Sequence, residues 1–245
     1  MRIALALTAV VLKLSLNQHG INYSENAIMR SLLVIALLLL SPFSQASTVK
    51  LNYSVFFGYM KTMYKLDSEY VTTAFYLVDH LDKSQCTINN AQIQVDDHLE
   101  PILFESSGRL LPFYSDQHRK DGGVLVIDID DNKAISSCDL QITVMAKEKE
   151  LDQLTPTKLT AINEELTGVL KKNAGMIGKY FLPSFSGLRL QLADPLTKEQ
   201  AAALSKLTMA SDKQLLLNNN DFEEITKINE LDINIVRITP WLQTK

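Results

Sequence analysis

From residue 49 to residue 146 apolar and polar positions alternate with a period of two. Val49, Leu51, Tyr53, Val55, Phe57 and Tyr59 share one face, and Lys50, Asn52 and Ser54 share the other. That is the pattern of a half-buried strand. It places Val55 in the core and turns Phe56, which breaks the alternation, outward. It therefore expects Val55→Asp to be strongly destabilising and Asn52→Asp to be almost neutral. Val71 to Val78 is apolar on both faces and suits a central strand. Ala91, Ile93 and Val95 alternate with polar residues, as do Leu140, Ile142 and Val144. Ile102 to Phe104, Leu110 to Phe113 and Val124 to Ile129 add shorter runs. Turn residues separate them at Asn89-Asn90, Ser106-Ser107-Gly108, Asp121-Gly122-Gly123 and Asp130-Asp131-Asn132. About seven short strands at this spacing predict an antiparallel sandwich or barrel.

After Asp152 the period changes. Thr155 followed by Pro156 is a helix start. Leu159, Ile162, Leu166, Val169 and Leu170 then recur mostly at spacings of three and four until Gly175 or Gly178. Leu188, Leu190 and Leu192 predict a strand. Thr197 with Gln200 forms a capping box that opens a helix over Ala201 to Leu207. A strand over Lys213 to Leu217, a short helix over Phe222 to Ile228 and a strand over Ile233 to Ile238 complete the chain. The fold class is α+β: a β-sandwich-like first half (47–150), then a long helix and a small βαβαβ unit (151–245). The boundary falls in Lys147 to Thr155, which has no clear apolar period.

The N-terminus carries an address. Met29-Arg30-Ser31, nine apolar residues from Leu32 to Leu40, Ser41-Pro42-Phe43 and Ser44-Gln45-Ala46 follow the order of a secretory signal peptide. A nine-residue helix rises about 14 Å, well short of a ~30 Å hydrocarbon core. The reading is a signal peptide over 29–46 cleaved after Ala46, with initiation at Met29 and residues 1–28 a mis-assigned gene start. A genuine two-part targeting segment is the alternative. The mature chain from Ser47 has 21 basic and 27 acidic residues, a net charge of −6. No basic field of that chain calls for nucleic acid. An apolar fraction of 46% excludes a wholly disordered chain.

Cys86 and Cys138 form an even pair that, in an oxidising compartment, reads as a disulfide. Neither stands in a C-x-x-C motif or a cationic setting that would make it a reactive thiol. Asp128, Asp130 and Asn132 occupy the first alternating positions of a calcium loop, with Ile135 and Asp139 at the later ones. But Lys133 stands where such a loop turns on Gly, so the reading is an acidic turn at a strand end. His80, His98 and His118 show no metal-ligand spacing and read as solvated loop histidines. Glu164-Glu165 and Glu223-Glu224 lie on expected helices, facing water; the basic pairs Arg119-Lys120 and Lys171-Lys172 read as solvated surface charge. Ser184-Phe185-Ser186-Gly187 is too generic for a nucleophile elbow. No catalytic, cofactor-binding or metal-binding residue is nominated. Eight aromatics between residues 53 and 76 read as sandwich core, or as a surface for sugars or a partner chain.

At Val49-Lys50-Leu51-Asn52-Tyr53-Ser54 and Gly108-Arg109-Leu110-Leu111-Pro112-Phe113 the chain resembles a family of small secreted Gram-negative bacterial proteins of unknown function. The paired cysteines fit it as well, and the likeness covers about residues 47–190. It implies a signal peptide and a periplasmic home, and carries no site residue over to this chain. The extension before Met29 departs from it. The expected function is a non-enzymatic periplasmic module that binds a protein or envelope component, without a transmembrane segment in the mature chain. The alternative is a hydrolase of an envelope polymer whose site assembles only in the fold.

Overall fold

Asn52 makes the first departure from period two. The structure, a computed structural model, describes residues 47–130 and 138–243. The signal-peptide and gene-start expectations lie outside them, as do Asp131, Asn132, Lys133 and Ile135. Strand β1 spans only Ser47–Asn52. Helix α1, Tyr53–Leu66, begins at once. The Asn52 side-chain oxygen accepts the Ser54 N–H at 2.8 Å, an N-cap. Tyr53, Phe56 and Phe57 are buried and Met60 packs beside them, the i, i+3, i+4, i+7 stripe of a helix. The strand expected over 49–59 is therefore corrected. Val55 is 44% exposed, whereas Phe56, expected outside, is wholly buried. Tyr53 and Phe57 satisfy both periods. The adjacent pair Phe56-Phe57 decides, because neighbours fall on opposite faces of a strand but can share a helix face.

Two antiparallel sheets follow from β2 (Val71–Asp79), β3 (Ile88–Val95), β4 (His98–Pro101), β5 (Leu103–Phe104), β6 (Arg109–Leu111), β7 (Val124–Ile129) and β8 (Cys138–Ala146), with helix α2 (Asp116–Lys120) before β7. One has the order β1-β7-β3-β4, the other β5-β6-β2-β8. The long helix α3, Pro156–Gly178, starts on the expected Thr155 cap, whose hydroxyl accepts the Lys158 N–H at 3.1 Å. Then come β9 (Ser184–Leu192), α4 (Lys198–Ala203), β10 (Thr208–Ser211), β11 (Gln214–Asn218), α5 (Ile225–Glu230) and β12 (Ile235–Gln243). The third sheet, β10-β11-β9-β12, is also antiparallel. The described chain is thus a mixed α/β protein of three antiparallel sheets and five helices. Strands β4 and β10 had no sequence signal: every residue of both is exposed, so neither carries an apolar face.

Strand β2 is buried along almost its whole length. On one face Val71 joins Val144 and Ala146 against α3 and the third sheet, through Leu159, Ile162, Leu166, Leu190 and Ile238 among others. Farther along the same face, Phe75 and Leu77 join Leu110 against α1 and the first sheet, through Phe56, Ile93, Leu125 and Ile127. On the opposite face Ala74, Tyr76 and Val78 pack with Met145, and the Arg237 guanidinium of β12 lies 4.6 Å from the Tyr76 ring centroid. The apolar core therefore continues across residues 147–155, where the architecture changes. Glu165, expected to face water, instead accepts the backbone N–H groups of Glu69, Tyr70 and Val71 at 3.1, 2.9 and 3.2 Å. One carboxylate so ties α3 to the start of β2.

Cys86 and Cys138 are disulfide-bonded, their Cα atoms 6.3 Å apart. The bond joins the approach to β3 in one sheet to the first residue of β8 in the other. Closing a loop of 52 residues is worth roughly 4 kcal/mol in the chain-entropy account.

Phe56→Ala is expected to cost about 3–5 kcal/mol, and Val55→Asp less than about 1 kcal/mol, because Val55 lies on the exposed face of α1. Urea denaturation of both variants checks the order; a larger loss for Val55→Asp restores the strand reading.

Candidate functional site

Helix α1 presents Tyr53, Phe57, Lys61 and Tyr64 along one stripe, at spacings of four, four and three. The Tyr53 hydroxyl donates to the Phe113 carbonyl at 2.7 Å and accepts the Ser115 N–H at 2.8 Å. Both bonds pin the turn that carries Tyr114 against α1. The Tyr114 ring consequently stacks on Phe57, with centroids 4.8 Å apart and planes 10° from parallel. Tyr64 stacks on Tyr114 at 5.4 Å and 12°. Cations flank the inner ring: the Arg119 guanidinium carbon is 5.1 Å and the Lys61 Nζ 5.8 Å from the Phe57 centroid. Tyr64 is 76% exposed, so the ladder ends in an open ring. Burial pushes the Tyr53 hydroxyl pKa above its ordinary value, against the opposing effect of the Ser115 N–H.

Helix α2 holds this arrangement from below. The Ser115 hydroxyl caps it by accepting the His118 N–H at 3.2 Å. The same oxygen is 2.7 Å from His118 Nδ1, while His118 Nε2 is 3.1 Å from Glu100 Oε2. The imidazole also meets Phe113 and Tyr53 edge-on, at 5.0 and 6.1 Å. His118 is thus a packed, hydrogen-bonded residue of α2, a correction to its reading as a solvated loop histidine; His80 and His98 are exposed as expected. Asp116 pairs with Lys120 at 2.8 Å and Arg119 at 2.9 Å. Those hydrogen bonds, Lys120's first, hold the Asp116 carboxyl below its usual pKa. Arg119 and Lys120 are therefore engaged by their own helix rather than freely solvated.

Beside His118 a cavity of about 350 Å³ is lined by Asp96, Asp97, Glu100, Asp121 and His98 among others. Ser115 is not among its lining residues, so the Ser115–His118–Glu100 line directs no hydroxyl into that space. The arrangement can offer carboxylates and an imidazole to a polar ligand. Among the described residues no three His, Cys, Asp or Glu side chains are grouped to hold a metal ion. Asp128 of the supposed calcium loop accepts hydrogen bonds from Thr48 Oγ1 at 2.9 Å and Asn90 Nδ2 at 3.3 Å. It thereby links β7 to both of its neighbours. Glu223 and Glu224 lie in a 3-10 turn before α5, and Ser184 and Ser186 on β9. The strand expected over 49–59 takes in Phe57 but not Tyr64, which hides their common helix face; the 53-57-61-64 spacing is the available signal.

The family described as "Protein of unknown function (DUF2987)" matches residues 45–192, more than half of the chain, and the chain belongs to that family. No curated protein and no solved structure matches it. The matched segment contains α1, α2 and the whole aromatic ladder.

Tyr53→Phe leaves the Ser115 N–H and the Phe113 carbonyl without their partner, and the expected loss is about 1–3 kcal/mol. The raised pKa fixes the sign of the alkaline limb. Stability contributed by the protonated phenol is fully present below the ordinary tyrosine value of about 10 and lost as pH rises through the folded value. Tyr76, also raised by burial, contributes in the same sense. Stability measured from pH 8 to 11.5 should fall less steeply in Tyr53→Phe than in the parent; equal slopes contradict the assignment.

Proposed function

We propose that this chain is an exported, periplasmic binding module that engages a protein or envelope component through the Phe57–Tyr114–Tyr64 ladder. The observation that carries the reading is an aromatic stack that begins at the buried, cation-flanked Phe57 ring and ends in the open ring of Tyr64. Stacked rings held by a hydrogen-bonded turn offer a large contact surface that is already ordered before binding. The grammar of residues 29–46 supports export, with a mature chain from Ser47. The disulfide supports an oxidising compartment. The two sheets of the first half, facing across one apolar cluster, support a sandwich.

A hydrolase remains the second reading, and the acid-lined cavity at His118 is the observation in its favour. Binding is preferred because the aromatic ladder is already ordered by the Tyr53 hydrogen bonds, and because Ser115 serves as a helix cap away from that cavity.

Tyr64→Ala combined with Tyr114→Ala tests the binding reading. The parent chain, immobilised and exposed to envelope extract of its own host, should retain a component that the double variant loses. Unfolding of the double variant should shift by the ~0.5–1.5 kcal/mol of each ring pair removed, plus the transfer energy of the buried part of the Tyr114 ring. Equal retention by both chains refutes the proposal, and turnover of an envelope polymer abolished by Glu100→Gln favours the hydrolase.

A further inference from the structure

The far end of α3 carries a second feature, on elements other than the aromatic ladder. Gly175 takes φ 74° and ψ −170°, a conformation open to glycine, and breaks the helix there. The chain then closes a tight turn, with Lys179 N–H on the Gly175 carbonyl at 3.3 Å and Phe181 N–H on the Gly178 carbonyl at 2.9 Å. Within six residues this turn holds Met176, Ile177, Tyr180 and Phe181, each between 71% and 82% exposed. Single exposed apolar side chains occur elsewhere, such as Leu81 at 79% and Leu103 at 75%, but not four to a six-residue turn among the described residues. Four together in solvent form an apolar knob that calls for an occupant.

Charge selects the occupant. Between Glu165 and Asp194 the chain has no acidic residue, while Lys171, Lys172, Lys179 and Arg189 are basic. The whole chain carries −4, so this stretch runs against the overall balance. Lys171 and Lys172 are exposed one to two turns before the knob, and Lys179 lies within it, its Nζ 5.1 Å from the Tyr180 ring centroid. Protruding apolar and aromatic side chains with lysines before and among them match a bilayer interface, where rings and alkyl chains enter the acyl boundary and ammonium groups meet anionic headgroups. No described helix is long and apolar enough to cross a membrane, so the contact is interfacial. We infer that residues 176–181, with Lys171, Lys172 and Lys179, dock the protein on the surface of a bilayer containing anionic lipid.

The test uses the chain from Ala46 to Lys245, the compact unit that holds every core described above. Sedimentation is measured with vesicles of phosphatidylglycerol and phosphatidylethanolamine, and with vesicles of phosphatidylcholine alone. The parent should partition onto the anionic vesicles at least tenfold better than onto the neutral ones. Ile177→Asp with Phe181→Asp should lower that partition tenfold or more, and Lys171→Glu with Lys172→Glu should abolish the preference for anionic lipid. All four side chains are exposed, so each variant should keep the parent's unfolding midpoint. Phe181→Trp supplies an independent reading: its emission should shift to the blue when anionic vesicles are added. Absence of binding to either vesicle, binding unaffected by Ile177→Asp with Phe181→Asp, or an unshifted Trp emission overturns the inference. So does capture of a soluble protein through the knob by a chain that leaves vesicles alone.

Discussion

The burial of β2 on both faces is the constraint from which the rest of the architecture follows. A strand that is apolar on each side must be covered twice. One face is long enough to serve two cores in succession: Val71 at one end packs toward α3 and the third sheet, Phe75 and Leu77 at the other toward α1 and the first sheet. Thr73 sits between them, buried, with its hydroxyl lacking a hydrogen-bond partner among the described residues. The opposite face closes on Tyr76 and Met145 beneath Arg237. Glu165 fastens the entrance of this strand to α3 through three backbone N–H groups, and the disulfide fastens β8, its neighbour, to the other sheet. The family match ends at residue 192, the last residue of β9. It therefore takes in the whole of one core and all of α3, the helix that covers the other.

Function, on this account, belongs to what the cores leave outside. Helix α1 buries Phe56 on one side and carries Tyr53, Phe57 and Tyr64 on an adjoining side, so a single helix both plugs the core and builds the aromatic ladder. Tyr53 links the two roles, since its ring is buried and its hydroxyl orders the turn bearing Tyr114. Helix α3 repeats the division along its length. Leu159, Ile162, Leu166 and Val169 are in the core, and beyond the Gly175 break the same chain turns its apolar residues outward.

Much of the scaffold was legible because its elements bury one face each. The β3, β7 and β8 runs, the Thr155 and Thr197 caps, the stripe of α3 and the strand at Leu188 to Leu192 all stand where periodicity and capping chemistry put them. What failed has a physical cause in each case. Tyr53 and Phe57 satisfy two periods at once, and the Asn52 cap reads as an ordinary polar strand residue until the helix is seen. Strands β4 and β10 are held by edge pairing without an apolar face, and nothing in their residues announces it. Glu165 and His118 are polar helix residues, and only the fold shows that each meets a partner distant in sequence. The aromatic ladder joins residues 57, 64 and 114, so it is a contact that local pattern cannot express.

Native-state hydrogen exchange of the Ala46–Lys245 unit addresses the central claim, that β2 welds the two cores into one cooperative body. The account predicts that the slowest amides of β2, around Phe75 to Val78, and of β9, around Leu188 to Leu190, open with the same free energy and the same denaturant dependence, both equal to global unfolding. A β9–β12 sheet that exchanges through its own, much cheaper opening while β2 stays closed would contradict it.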